Sequence, residues 1–208
     1  MQRRLALSIL ALPLALAACA ELRTPRGPVP PPPGLLRSAD PGREAIAELD
    51  ESFRDGGRAL TGNAARTARA AALLEWLAAD MASNPRWAPV NNGVRERVQA
   101  AREEMREAIG TLAGIPAPDA AGALAQASRD LGAGRRSAAA EALAPRRFRD
   151  GGERTLQRLA EPGPLPVCEI ALGALAQEVR RLDGIEGWTV QPAADPGVTG
   201  TRVLEQGF

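Results

Sequence analysis

The feature that most constrains this chain is a helical spacing of apolar residues that extends over most of its length. Between residues 43 and 183, apolar side chains recur at steps of three and four, which places them on one face of successive helices. The clearest stripe consists of Val94, Val98, Ala101, Met105, Ile109 and Leu112. Alanine, the strongest helix former, is abundant, and strand-favouring residues are scarce. The pattern predicts an all-α fold.

Proline and glycine divide this pattern into segments. The second stripe, Ala70 to Met81, stops at SNPRWAP (83–89), and the last stripe starts after PGP (162–164). Because the links between segments are short, we expect an antiparallel helical bundle or array of five to seven helices over residues 43–183. FRDGG occurs twice, at 53–57 and 148–152. A duplicated helical hairpin would explain this repeat and predicts related helix orders around the two copies.

The first 18 residues have the three parts of an export signal. Arg3 and Arg4 give a positive start, residues 5–16 are almost wholly apolar, and small residues follow. The apolar run is shorter than the roughly 20 residues that span a bilayer. Residues 1–18 are therefore predicted to be a signal peptide.

The end of this signal carries a more specific motif. Residues 16–19, Leu-Ala-Ala-Cys, resemble the lipobox of bacterial lipoproteins. The resemblance implies that Cys19 receives a lipid on its thiol, that a peptidase cuts before it, and that its new amine is acylated. Ala20 rather than aspartate after Cys19 implies the outer membrane, with the chain facing the periplasm. The motif covers only about the first 20 residues, and the family of the helical part is not identified.

The regions that flank the helical part have different predicted roles. Residues 19–42 contain a proline run that favours stiff polyproline II, so we expect a tether that holds the body on the order of 60 Å from the membrane. A proline-rich docking site for a partner is the alternative. Residues 184–208 have no helical period and are predicted to form an irregular tail that Trp188 pins to the bundle.

Charge does not indicate a polyanionic partner. All 26 basic residues are arginine, they balance 25 acidic residues, and they form no run of like charge. Removing residues 1–18 leaves 24 arginines against 25 acids, which is close to neutral. We therefore expect a membrane contact through the lipid anchor, a further contact with an envelope protein or the cell wall, and no nucleic-acid partner. Oligomeric state does not follow from these features.

The residue types exclude several kinds of catalytic site. The chain has no histidine and no lysine, so Ser-His-Asp and Ser-Lys nucleophile sites cannot form. With Cys19 acylated, Cys168 is the one remaining cysteine, so no disulfide and no zinc cluster are expected. Cys168 lies on the last apolar stripe and is predicted to be a buried small hydrophobe; a redox thiol is the alternative. We assign no catalytic residue, no metal site and no cofactor.

Three sets of residues remain as candidates. Glu51-Ser52 resembles the catalytic Glu-Ser pair of lytic transglycosylases, but that family's Gly-Leu-Met-Gln run and tyrosine motifs are missing, so Glu51 is predicted on a solvated helix face. The segment 102–107 predicts a charged helix face with a Glu103–Arg106 pair. Trp87, between two prolines, is the candidate for an exposed binding loop; a tryptophan that covers the bundle end is the alternative.

These observations support one main functional hypothesis and two others. The main hypothesis is a membrane-anchored envelope lipoprotein whose helical domain binds or scaffolds and does not catalyse. A carboxylate-dependent enzyme that acts on peptidoglycan predicts a cleft with two inward carboxylates. A carrier of lipid or another small ligand predicts an apolar cavity within the bundle.

Overall fold

The computed structural model describes residues 27–188 of the chain, and these residues contain seven α-helices. In chain order they are α1 (Pro41–Phe53), α2 (Ala64–Ser83), α3 (Asn92–Ile109), α4 (Ala117–Gly132), α5 (Arg136–Ala142), α6 (Gly152–Ala160) and α7 (Pro166–Gly184). Short 3-10 turns follow α1 at Arg58–Leu60 and α2 at Pro85–Trp87. An isolated bridge joins Thr111 to Phe148. The all-α prediction is confirmed. Cys19 and residues 189–208 of the predicted tail lie outside the described residues.

Helix α2 is the central element of the fold. Thirteen of its twenty residues are buried, including every member of the predicted stripe from Ala70 to Met81. A helix that is buried on nearly all sides belongs to the core of a domain. It packs against α1, α3, α4 and α6, most extensively against α4, which is also rich in alanine. Because alanine side chains are small, the two helices can pack closely.

Helices α3 and α7 form the second large contact of the fold. The predicted stripe of α3 is buried at Val98, Ala101, Met105 and Ile109. The stripe of α7 is buried at Cys168, Ala171, Leu172, Leu175, Val179 and Leu182. Helix α1 contacts both α7 and α2, so it joins the two packing units. None of the helices within residues 27–188 is long and apolar enough to cross a membrane.

The two FRDGG copies occupy different places in the helix order. Phe53 is the last residue of α1, and a 3-10 turn and the long helix α2 follow it. Phe148 lies in the loop before α6, and Gly152 is already the first residue of that nine-residue helix. Both phenylalanines are buried. The different order of elements argues against a duplicated hairpin.

Candidate functional site

A proline segment, residues 28–33, lies against helices α2 and α4. The backbone N–H of Val29 donates to Asp80 Oδ1 at 2.9 Å. Trp76 donates its indole N–H to the carbonyl of Val29 at 2.8 Å. Arg129, on α4, donates to the carbonyl of Pro33 at 2.9 Å. Because proline has no N–H, Val29 is the one donor of the segment, and both of its backbone polar groups are bonded to α2.

This contact differs from the free tether predicted over residues 19–42. The chain from Val29 onward belongs to the body, and Leu35, which follows the segment, is 2% exposed. The segment docks because the buried side chains of Trp76 and Asp80 need hydrogen-bond partners on this side of α2. Val29 supplies both partners. Only about ten residues then separate Cys19 from Val29, which span about 35 Å at most.

Asp80 joins the proline segment to the end of the bundle. Its Oδ2 accepts from the indole N–H of Trp87 at 2.7 Å, and both of its oxygens accept from Asn84 Nδ2 at 3.2 Å. Only 3% of Asp80 is exposed. A buried carboxylate requires such donors, because water cannot reach it. Asp80 therefore has a structural role, which is to connect Val29, Asn84 and Trp87.

The prediction of an exposed Trp87 on a binding loop is wrong, because Trp87 is 0% exposed. Its indole N–H is taken by Asp80, and its ring packs so closely on Gly42 that a Cβ there would lie 2.8 Å from the ring. The Arg86 guanidinium lies 4.7 Å from the ring centroid. Trp87 instead covers the end of the bundle, as the alternative interpretation predicts.

Trp188 packs on the same end of the bundle. Its ring meets that of Trp87 edge to face, with centroids 6.1 Å apart. Its indole N–H donates to Asp183 Oδ1 at 2.6 Å, and Arg43 binds both oxygens of Asp183 at 2.5 and 2.6 Å. The Arg43 guanidinium also lies 5.2 Å from the Trp188 ring centroid. Within residues 27–188, Trp188 therefore packs on the bundle as predicted.

The Asp183 cluster makes the packing of Trp188 sensitive to acid. Arg43 and then the Trp188 indole lower the pKa of Asp183 from its ordinary 3.8 to about 2. Because this pKa is lower in the folded chain, its stabilisation is present above about pH 4 and is lost as pH falls towards 2. We expect a tryptophan fluorescence change between pH 4 and 2 that Asp183→Asn reduces.

The matched control for this titration is Glu51→Gln, which removes an exposed carboxylate of α1. This variant should keep the fluorescence change. Glu51 forms its ion pair with Arg54, at 3.4 Å, and makes no polar contact with either tryptophan. An unchanged acid transition in the Asp183→Asn chain would contradict the assignment.

The most buried ion pair joins α2 to α3. Arg106 donates from Nε to Glu75 Oε1 at 2.6 Å and from Nη2 to Glu75 Oε2 at 2.7 Å, and Nη2 also donates to the carbonyl of Ile115 at 3.1 Å. The Glu75 side chain is 2% exposed and that of Arg106 is 11% exposed. Burial raises the pKa of Glu75, and the bonds and charge of Arg106 oppose that rise. The predicted Glu103–Arg106 pair is wrong, since Glu103 pairs with Arg102 at 2.7 Å.

Two further acids of α3, Glu104 and Glu107, also have partners. Glu107 binds Arg149 at 3.1 Å. Glu104 accepts from the backbone N–H groups of Val167 and Cys168 at 3.1 and 2.8 Å, and so caps the start of α7. These carboxylates bind partners on neighbouring elements and do not form an acid–base pair.

Cys168 is buried, as predicted from its place on the apolar stripe. Its side chain is 0% exposed, its thiol donates to the carbonyl of Ala101 at 3.3 Å, and it is unpaired. Burial, together with Glu104, raises the pKa of the Cys168 thiol far above its ordinary value. Since the thiolate is the reactive form, this position does not favour a redox thiol.

Glu51 lies on the solvated face of α1, as predicted. Its side chain is 63% exposed. An exposed carboxylate without a second inward carboxylate beside it does not resemble a glycosidase site. Within residues 27–188, no group of three histidine, cysteine, aspartate or glutamate side chains is placed to hold a metal ion.

Two open, mostly apolar clefts lie on either side of the proline segment. One, of about 320 Å³, is lined by the segment together with Pro41, Gly42 and Arg86. The other, of about 330 Å³, is lined by the segment and by Pro118, Ala121 and Gly122 of α4. Both share Val29 and Trp76. The segment therefore leaves open space on its α1 side and, in the groove between α2 and α4, on its α4 side.

No protein-family model, curated protein or solved structure matches this chain.

Proposed function

We propose that this protein is a lipid-anchored lipoprotein of the bacterial outer membrane whose helical domain faces the periplasm and works by binding or scaffolding. The observation that carries the proposal is the Leu-Ala-Ala-Cys motif at residues 16–19, directly after a segment typical of an export signal. The envelope partner would be a protein or the cell wall. Two or more acyl chains on Cys19 would make the attachment lasting, whereas one chain holds a protein only reversibly.

The docked proline segment supports a close position of the domain relative to the membrane. An anchor at Cys19 leaves about ten residues before Val29, where the chain meets α2. Such a linker spans about 35 Å at most, which is comparable to the size of a small domain. The face of the bundle that carries Val29 would therefore lie on the membrane side. A partner in the envelope would meet the domain within this distance.

No observation favours the two other functional hypotheses over binding. The buried carboxylate of Glu75 is held by Arg106, and Glu51 is exposed, so neither supports a peptidoglycan-cleaving enzyme. The clefts beside the proline segment lie at the lower end of the size range of ligand pockets and are open, which gives a lipid carrier no support.

The anchor is tested by expressing the full chain and its Cys19→Ser variant in a bacterium that processes lipoproteins. Mass spectrometry should find a mature chain that begins at Cys19 with acyl groups attached, and the chain should sediment with outer membranes. Cys19→Ser should abolish both. Cys168→Ala is the matched control, because it removes the other cysteine and should leave the lipid in place. An intact Met1 or an unmodified chain that begins at Ala20 would contradict the proposal.

The binding function needs a separate measurement. Cross-linking in intact cells, followed by purification of the full chain from envelope extracts, should recover a protein or a cell-wall fragment. Recovery of the chain alone at every cross-linker length would count against binding, even if Cys19 is acylated.

A further inference from the structure

The groove over Trp76 has the features of a site that recognises proline-rich chains. Such sites typically combine an aromatic surface for pyrrolidine rings with an indole N–H that donates to a carbonyl of the ligand. Trp76 supplies both, and Asp80 adds an acceptor for the one N–H of the segment. With the segment in place, Trp76 is 4% exposed and Asp80 is 3% exposed, and both side chains belong to the central helix α2.

The resident segment is held by few polar contacts, together with the packing of Val29 against the core. Its polar attachments are the two bonds of Val29 and the bond from Arg129 to Pro33. Pro30 and Pro33 are exposed to solvent, and the clefts of about 320 and 330 Å³ remain open on both sides. A single hydrogen bond contributes modestly to stability in water, and none of these bonds joins two helices, so the segment can leave while the helices stay folded.

Departure of the segment leaves a defined vacancy. The indole N–H of Trp76 then has no carbonyl to bind, and Asp80 Oδ1 loses the Val29 donor. Water in the open groove would hydrate these two groups but not the apolar surface around them, so another chain that makes the same bonds and covers this surface is favoured over water. A proline-rich chain is the occupant that fits, since the groove already holds one.

We propose that the groove between α2 and α4 binds a proline-rich segment of a partner protein in exchange for residues 28–33 of its own chain. The partner segment carries an apolar residue with a free N–H, followed by prolines, and takes the place of Val29 on Trp76 and Asp80. This inference deepens the proposed binding function and does not depend on lipidation of Cys19. Exchange also frees the linker from Cys19 up to the buried Leu35, which extends its reach from about 35 to about 55 Å.

The test uses a labelled synthetic peptide with the sequence of residues 27–36, GPVPPPPGLL, and the full chain in detergent. The resident segment competes at an effective concentration in the millimolar range, so the wild-type chain should bind this peptide weakly. Val29→Asp places a second carboxylate beside Asp80 and should release the segment. We expect this variant to bind the peptide at least about tenfold more tightly than wild type. Ala39→Asp, with the same charge change at an exposed loop position, should bind as wild type does.

A second substitution identifies the groove as the binding site. In the Val29→Asp background, Trp76→Phe keeps an aromatic ring and removes the indole donor, and should weaken peptide binding about fivefold. Circular dichroism would show whether each variant keeps its helices. Three outcomes would overturn the proposal: no saturable binding to a folded Val29→Asp chain, equal binding of a peptide with glycines at the four consecutive prolines, or a dimer of that variant without peptide. The dimer would make a second copy of the chain the occupant. The peptide-binding experiment does not measure acylation of Cys19, so a failure to bind the peptide would not contradict the proposed lipid anchor.

Discussion

Arg106→Met is expected to lower the free energy of unfolding by about 3–5 kcal/mol. The substitution keeps most of the length of the side chain and removes the guanidinium that binds both oxygens of Glu75. Glu75 is 2% exposed, so its carboxylate would remain buried without a counter-charge. Removing one partner of a buried pair is much more destabilising than removing both. The double variant Glu75→Leu/Arg106→Met should therefore recover most of the loss.

Arg102→Met is the matched control for this experiment. Arg102 lies one turn earlier on α3 and pairs with Glu103, whose side chain is 59% exposed. An exposed pair contributes about 0–1 kcal/mol, so this variant should unfold close to wild type in urea at pH 7. Equal stability of the two single variants, measured by circular dichroism, would contradict the role of the buried pair.

The Arg106→Met loss should also depend on pH with a defined sign. Burial raises the pKa of Glu75, and without Arg106 only the weaker charge interaction with Arg102 opposes that rise on the other helix. A carboxyl whose pKa is higher in the folded chain than in the unfolded chain favours folding at low pH, where it is protonated. The deficit of Arg106→Met relative to wild type should therefore shrink as pH falls from 7 towards 4. A deficit that grows over this range would contradict the assignment.

The helices were predictable because their signal is local. The stripes of α2, α3 and α7 need only the 3.6-residue period of one segment. They are buried as that period requires, except that Val94 is half-buried and that Leu112 lies beyond the end of α3. The Leu-Ala-Ala-Cys motif is local in the same sense, since its residues are adjacent in the chain, and the lipid anchor that it predicts stays a prediction.

The partners across helices were not predictable from local spacing. Glu103 precedes Arg106 by one helical turn, which favours that pair on an isolated helix. The partner of Arg106 is instead Glu75, which lies 31 residues away in the sequence. Glu75 needs a partner because α2 is buried on nearly all sides. A usable signal was present, because a charged residue within an alanine-rich, centrally buried helix has to be paired. The same reasoning applies to Asp80, whose partners include Val29 and Trp87.

The other predictions that differ from the structure concern proline-rich segments. The prolines around Trp87 and in residues 28–33 suggested exposed, extended chain, and extended chain without internal hydrogen bonds is what proline favours. The same property makes such chain a good ligand, because its carbonyls remain free for donors such as Trp76 and Arg129. Whether a proline run is solvated or docked is thus decided by the surface beside it, which no local pattern describes.

Gly152→Ala is expected to destabilise the fold by about 3 kcal/mol or more. A Cβ at Gly152 would lie 2.1 Å from the carbonyl oxygen of Ala140 and 2.6 Å from its carbon, so the clash is with the backbone of α5. No rotamer change relieves such a clash, and α5 would have to separate from α6. Gly152 is the first residue of α6 and does not have a positive φ, so alanine would otherwise be accepted there.

The sign of the effect is what makes this variant informative. In a helix with open space, glycine to alanine stabilises by about 0.5–1 kcal/mol. Gly173, within α7, has no atom within 4 Å of an added Cβ outside its own turn, so Gly173→Ala should raise the urea midpoint. Gly152→Ala should lower the midpoint strongly, because close approach of α5 and α6, and not helix propensity, requires glycine there. A Gly152→Ala midpoint that rises, as that of Gly173→Ala should, would contradict the close approach of the Ala140 backbone to Gly152.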